Sequence, residues 1–166
     1  MSHRSLTVSW EDPHAAAANG ARLSGLDYMK GMIAGRFPRP PMACLLGFDL
    51  VEVGEGFAAF ECRPGEQHYN PIGVVHGGLA CTLLDSAMGC SVNSTLAAGM
   101  AYTTLELKVN LVRPLTMNTG LVRCEGRIVH RGSRTATADG RLIDAAGKLY
   151  AHATTTCIIF PAPPAT

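Results

Sequence analysis

The 166-residue sequence has few charges and almost none in its middle. Charged residues make up 16% against 47% apolar, the balance of a globular chain rather than a disordered one. Between Gln67 and Ala101 the single charge is Asp85. A net charge of +1 gives no reason to expect nucleic acid as the main partner. The six cysteines (Cys44, Cys62, Cys81, Cys90, Cys124 and Cys157) contain no CxxC pair. That removes the usual zinc spacing, and neither a metal nor a cofactor is expected. Most of the cysteines sit inside apolar patterns, as small core residues do. The opening "MSHRSLTVSWEDPH" lacks an apolar run of signal-peptide length. A reduced, cytoplasmic setting is therefore expected over a disulfide framework. The longest charge-poor segment, Leu79–Ala98, holds Asp85, Ser86, Ser91, Asn93, Ser94 and Thr95. It is too polar to span a membrane. No G-x-S-x-G elbow and no internal repeat are present.

What is there reads as one domain by length. Residues 1–40 form an N-terminal extension, with a short helix over Leu23–Ala34 stopped by "RFPRPP". Residues 1–21 show no clear periodicity. "MACLLGF" gives one more helical turn closed by Gly47. Strands are expected at Phe48–Val53 and Phe57–Arg63, split by a "GEG" turn. From about His76 to Ala98, Leu79, Leu83, Ala87 and Cys90 recur at helical spacing, as do Ala80, Leu84, Met88 and Val92. That predicts a helix buried on most sides. Its glycine-rich start shows no strong side-chain cap, so its free N–H groups need acceptors from elsewhere. After Gly99 the period becomes two. Leu105, Leu107, Val109 and Leu111 alternate with polar residues, which predicts a half-buried antiparallel strand. Three more strands follow, in "LVRCEGRIVHR", "TATADGRLI" and "LYAHATTTCIIF". Residues 161–166, "PAPPAT", read as a flexible tail. With no βαβ alternation the class is α+β, one antiparallel sheet around one long central helix.

Two features in this frame point to chemistry. "VVHGG" opens the long helix, where unpaired N–H donors and a partial positive charge can hold a forming oxyanion. Gly77 and Gly78 lack side chains, so a ligand can approach the backbone closely. Taken alone, the glycines fit a tight turn or close packing better. The second feature is Asp85, whose isolated carboxylate needs either a hidden partner or a function. Thr82 and Ser86 are structural candidates for that partner. Asp85 lies eight residues beyond Gly77, about 12 Å along a helix axis. The two cannot serve one reaction centre from one chain. If both act, a two-fold axis must bring Asp85 of one copy to Gly77 of another, twice per dimer.

The run "NPIGVVHGGLACTLLD", Asn70 to Asp85, followed by "YTTLELKVNLVRP", resembles the hot-dog-fold acyl-CoA thioesterases. The likeness is to the phenylacetic-acid-degradation branch and extends over residues 41–160. It implies a homodimer with composite sites and a dimer of dimers, hence a homotetramer. It further implies a Gly77 N–H that holds the thioester carbonyl oxygen, and a partner-chain Asp85 as nucleophile or general base. Asn70 would position water or the thioester, Thr104 would assist, and His76 would support the turn. A thioester needs little more, because its carbonyl is electrophilic and thiolate leaves readily.

From Lys108 to Arg134 six basic residues face one acid, Glu125. Such a strip suits a small polyanion. The phosphates of coenzyme A could meet Arg131, Gly132 and Arg134 in "HRGSR", with Gly78 near the thioester. Arg113 is a weaker candidate, and solvated strand faces account for these arginines equally. A non-catalytic acyl-CoA-binding module is the alternative function. A hydratase is disfavoured because the expected Asp/His pair is missing.

Overall fold

Gly77–Asn93 is the longest helix among the described residues, and the sheet wraps it. The computed structural model describes residues 3–162. Its helices are α1 (Pro13–Gly20), α2 (Gly25–Ile33), α3 (Pro41–Leu46) and α4 (Gly77–Asn93). Its strands are β1 (Phe48–Gly54), β2 (Phe57–Cys62), β3 (Met100–Leu111), β4 (Val122–Arg131), β5 (Thr135–Asp144) and β6 (Leu149–Pro161). They form one antiparallel sheet in the order β1-β2-β4-β5-β6-β3. This is the expected α+β hot-dog architecture.

Burial follows the two periodicities. α4 buries Leu79, Ala80, Leu83, Leu84, Ala87, Met88 and Val92. Opposite them lie Ala58, Phe60, Val122, Cys124, Ala138, Leu142, Ala153 and Cys157. In β4, Val122, Cys124 and Gly126 face the helix, while Arg123, Glu125 and Arg127 face away. Gly126 marks the closest approach. A Cβ there would fall 2.2 Å from the Ala87 carbonyl oxygen, so no larger residue fits without moving helix from sheet.

α4 ends five residues before the expected Ala98. Ser91 and Ser94 turn their hydroxyls onto the Met88 and Ser91 carbonyls, both at 2.7 Å. Such bonds compete with the helical ladder and close it. Ser94 Oγ also accepts from the Gly56 N–H at 2.8 Å, which ties the helix end to the β1–β2 turn. The N-terminal extension holds one more helix than expected. α1 starts at Pro13 after an Asp12 cap and buries no residue, so no apolar period betrays it in the sequence. At the other end Pro161 closes β6 and the Ala162 N–H bonds the Gly99 carbonyl. The rest of the expected tail, 163–166, lies outside the described residues.

β3 departs from the simple alternation. Its register against β6 shifts between Thr104 and Glu106, a bulge centred on Leu105. Leu105 is 59% exposed rather than inside. On either side of the bulge, Tyr102 and then Leu107 and Val109 pack against the core. The strand thus keeps one face on α4 although its parity changes.

Candidate active site

The approach to α4 is a tightly bonded loop. His68 is buried and spans it. Its Nδ1 accepts from the Gly65 N–H at 3.0 Å, and its Nε2 faces the Leu46 carbonyl at 3.1 Å. That pairing sets a neutral ring with the proton on Nε2. Burial pushes the His68 pKa down, opposed in part by the Leu46 bond. The His68 carbonyl accepts from the His76 N–H at 2.7 Å. Asn70 closes the next turn: its Oδ1 accepts from the Ile72 and Val74 N–H groups at 3.1 and 3.3 Å. Its NH2 group bonds no acceptor among the described residues.

His76 then caps the helix. Its Nδ1 accepts from the Gly78 N–H at 2.8 Å, which corrects the expectation of an uncapped start. Histidine is outside the usual cap set, so its identity alone does not announce a cap. The cap satisfies Gly78 and passes over Gly77. The Gly77 N–H meets no acceptor among the described residues. It borders a cleft of about 250 Å³ with Asn70, His76, Leu111, Arg113 and Tyr150. A Cβ on Gly77 would fall 2.6 Å from Leu111 Cδ1, so the glycine also keeps this wall close. The cleft therefore presents an open helix N-terminal donor and a guanidinium, a suitable seat for a developing negative charge.

The second half is elsewhere. Asp85 Oδ1 accepts from Thr104 Oγ1 at 2.8 Å. The hidden partner is thus across the sheet, on β3, and not Thr82, whose hydroxyl bonds the Gly78 carbonyl at 2.9 Å. Asp85 is half-buried, and its Oδ2 has no hydrogen-bond partner among the described residues. Its charge is felt nearby. Burial chiefly pushes the Cys90 thiol up to about 12, and Asp85 adds to the rise. The Tyr102 hydroxyl is raised by burial first, then by its thiol neighbours and Asp85. These groups stay protonated beside the carboxylate.

Of the sequence-derived candidates, Asn70, His76, Gly77 and Gly78 come together at the helix start, and Asp85 and Thr104 come together about two turns on. Neither Asp85 nor Thr104 lines the Gly77 cleft. Arg131, Gly132 and Arg134 lie in the β4–β5 turn, with the Gly132 N–H on the Thr135 carbonyl at 2.8 Å. The pairing runs Thr104↔Cys157, Cys157↔Ala136 and Ala136↔Arg131. The basic turn is therefore level with the Asp85 half, about 14 Å across three strand spacings. Arg113, weaker in sequence, is the arginine that borders the Gly77 cleft. Among the described residues, no three His, Cys, Asp or Glu side chains could hold a metal. No helix there is long and apolar enough to cross a membrane.

Comparison with known proteins matches residues 72–151 to the thioesterase superfamily. A "Putative esterase" of Saccharolobus solfataricus is 31% identical over 108 residues, which are 65% of this chain and 75% of that protein. A crystal structure from Ralstonia eutropha, described as "a putative thioesterase, phenylacetic acid degradation-related protein", is 32% identical. It superposes with a TM-score of 0.71, over 79% of this chain and 98% of that one. A Streptococcus mutans protein bound to acetyl CoA is 27% identical, with a TM-score of 0.62, over 69% of this chain and 89% of that one.

Proposed function

We propose, given that this chain belongs to the thioesterase superfamily, that it hydrolyses acyl-CoA thioesters at sites shared between two protomers. Thioester hydrolysis is the family's chemistry, and the shared site is what this chain's geometry favours. The observation that carries it is the separation of an open donor, the Gly77 N–H, from a half-satisfied acceptor, Asp85, along one helix.

β3 is the natural seam. Among the described residues it pairs with β6 alone and ends the sheet. Its twelve residues, Met100–Leu111, present unpaired backbone to a second copy, with Leu105 and Leu111 exposed. Such an edge is a template for strand pairing. Two β3 strands paired about a two-fold axis set the α4 helices antiparallel and bring Asp85 of one to Gly77 of the other.

In each site the carbonyl oxygen of the thioester takes the Gly77 N–H. The partner copy of Asp85, held by Thr104, either attacks the carbonyl carbon, expelling the thiolate of coenzyme A and leaving a mixed anhydride that water then hydrolyses to the free acid and Asp85, or removes a proton from a water that attacks the carbon itself. In the water route the hydroxyl adds to carbon and the proton passes to Asp85. The tetrahedral intermediate then collapses, the C–S bond breaks, and the proton leaves with coenzyme A. His76 holds the Gly78 N–H so that Gly77 alone is open, and the Asn70 NH2 group orients the water or the thioester. Gly78, Arg113, Arg131, Gly132 and Arg134 are left to bind the coenzyme A portion, from both protomers.

The test is subunit mixing. Asp85→Asn and Gly77→Pro each remove one half; proline deletes the N–H yet suits the first helical position. Each homodimer is expected to be nearly inactive in a thiol-release assay. Randomly mixed chains make half heterodimers with one intact site of two, so activity should return to about a quarter of wild type. No recovery after verified exchange would sink the shared site.

A further inference from the structure

A cavity larger than the Gly77 cleft lies elsewhere among the described residues. It measures about 440 Å³ and lies between α1, α2, the end of α4 and the start of β3; its α1 and α2 walls precede the family match, and its α4 and β3 walls lie within it. Its walls are mostly small or apolar, with Ala17, Ala18 and Ala21 of the α1 region, Tyr28 of α2, and Met100 and Tyr102 of β3, and the polar Asn93 joins them. Among the described residues no lysine, arginine or carboxylate borders it, and His14 is the one titratable group there besides the two tyrosines. Its size falls in the range of small-molecule pockets, about 300–1,000 Å³.

This cavity is continuous in register with Asp85. Along α4, Asp85, Gly89 and Asn93 recur every four residues and share a face. Along β3, Thr104, Tyr102 and Met100 recur every two residues on the face turned to that helix. Thr104 bonds Asp85. The Tyr102 hydroxyl lies where a Cβ on Gly89 would be 2.7 Å away. Asn93 and Met100 both border the cavity. A helix of eight residues and a strand of four both advance by about 12 Å, so the ladder leads from the carboxylate to the cavity. Tyr102 belongs to both: its ring lines the cavity, and Asp85 perturbs its hydroxyl.

The geometry points to this cavity as the seat of the acyl tail, an uncharged aliphatic chain of medium length, with α1 as the wall that sets how long a chain fits. The inference rests on the thioester hydrolysis proposed above. It explains the alanine run of α1. That helix buries nothing and is held by few bonds, from the Tyr28 hydroxyl to the Ala16 carbonyl at 3.4 Å and from the Gly99 N–H to the Ala21 carbonyl at 3.2 Å. Small side chains there leave the space open, where larger ones would fill it. A dicarboxylic acyl tail would find no counter-charge.

Thiol release from butyryl-, hexanoyl-, octanoyl-, decanoyl- and phenylacetyl-CoA tests it in three full-length proteins: wild type, Ala18→Phe and Met100→Ala. The quantity read is the kcat/KM ratio of decanoyl- to butyryl-CoA within each protein, so a change in folded fraction cancels. Wild type should favour the longer chain by about tenfold or more, since apolar pockets discriminate by such factors. Ala18→Phe should lower the ratio by about tenfold, and Met100→Ala should raise it. A ratio unmoved in both variants overturns the cavity's role while hydrolysis stands, as does a wild-type preference for butyryl- or phenylacetyl-CoA with unmoved ratios. Failure to hydrolyse any of the five esters removes the thioesterase proposal, and this one with it.

Discussion

At its first residue α4 offers a donor without an acceptor; at its ninth it offers an acceptor with a single donor. The two positions solve opposite problems by different means. At Gly77 the sequence removes side chains, and His76 caps the neighbouring N–H so that one remains open. At Asp85 it adds a charge in an apolar stretch and brings in Thr104 from another strand to hold it. The first depends on local backbone, the second on tertiary contact. A helix built for stability alone would need neither, because an open terminus and an isolated carboxylate both cost free energy. Their presence eight residues apart, on a chain whose sheet has an open edge, is what favours a shared site.

Removing the acceptor should have the largest effect. Asp85→Asn should lower kcat by about a thousandfold with the fold intact by circular dichroism, a loss of about 4 kcal/mol in transition-state stabilisation. Activity within tenfold of wild type would end its catalytic role. Gly77→Pro should follow, at about a hundredfold, as expected for one oxyanion donor. Thr104→Val keeps the shape but removes the donor to Asp85. It should cost at least about tenfold in kcat with little change in KM, the low end of the about 1.5–3 kcal/mol that a hydrogen bond to a charged group contributes. Arg113→Ala should act the other way, raising KM for acyl-CoA several-fold at nearly unchanged kcat. An equal effect on a thioester lacking the nucleotide would remove Arg113 from coenzyme A binding.

The smallest effect concerns the loop that aims the helix start. His68 is neutral in the fold, with its pKa held below the ordinary 6.5. The unfolded chain therefore takes up a proton before the folded one does. His68 stabilisation is full above about pH 6.5 and is lost as pH falls through the lower folded value. The melting temperature of wild type should fall on acidification across that window. His68→Gln, which cannot titrate, should flatten that part of the profile at a lower overall Tm. An unchanged slope would assign the acid sensitivity to other groups.

Much of this frame was legible because it repeats. The helical spacing of Leu79, Leu83 and Ala87 and the alternation of Val122 with Arg123 each record a buried face directly. What was not legible is where a residue breaks the repeat. Leu105 fits the alternation of its strand yet points outward, because the bulge changes parity between Thr104 and Glu106. That change lets Tyr102 and Leu107 share the core-facing side, and no run of apolar residues records it. α1 escaped for the opposite reason, since a helix with no buried face has no apolar period. Within the site, the separation of Gly77 from Asp85 followed from the rise of a helix alone. The Asp85–Thr104 bond spans nineteen positions, and local spacing pointed instead to Thr82.

The free edge of β3 has a consequence for how such a protein behaves on dilution. A site completed by a second chain exists only while two chains are together. On the proposed shared site, output per chain would depend on the total amount of the chain, falling once concentration drops below the dissociation constant of the pair. Loss of the partner would also uncover strand backbone and the exposed Leu105 and Leu111, the same surface that invites pairing with an unrelated strand. Catalysis and protection from aggregation would be gained in one association step.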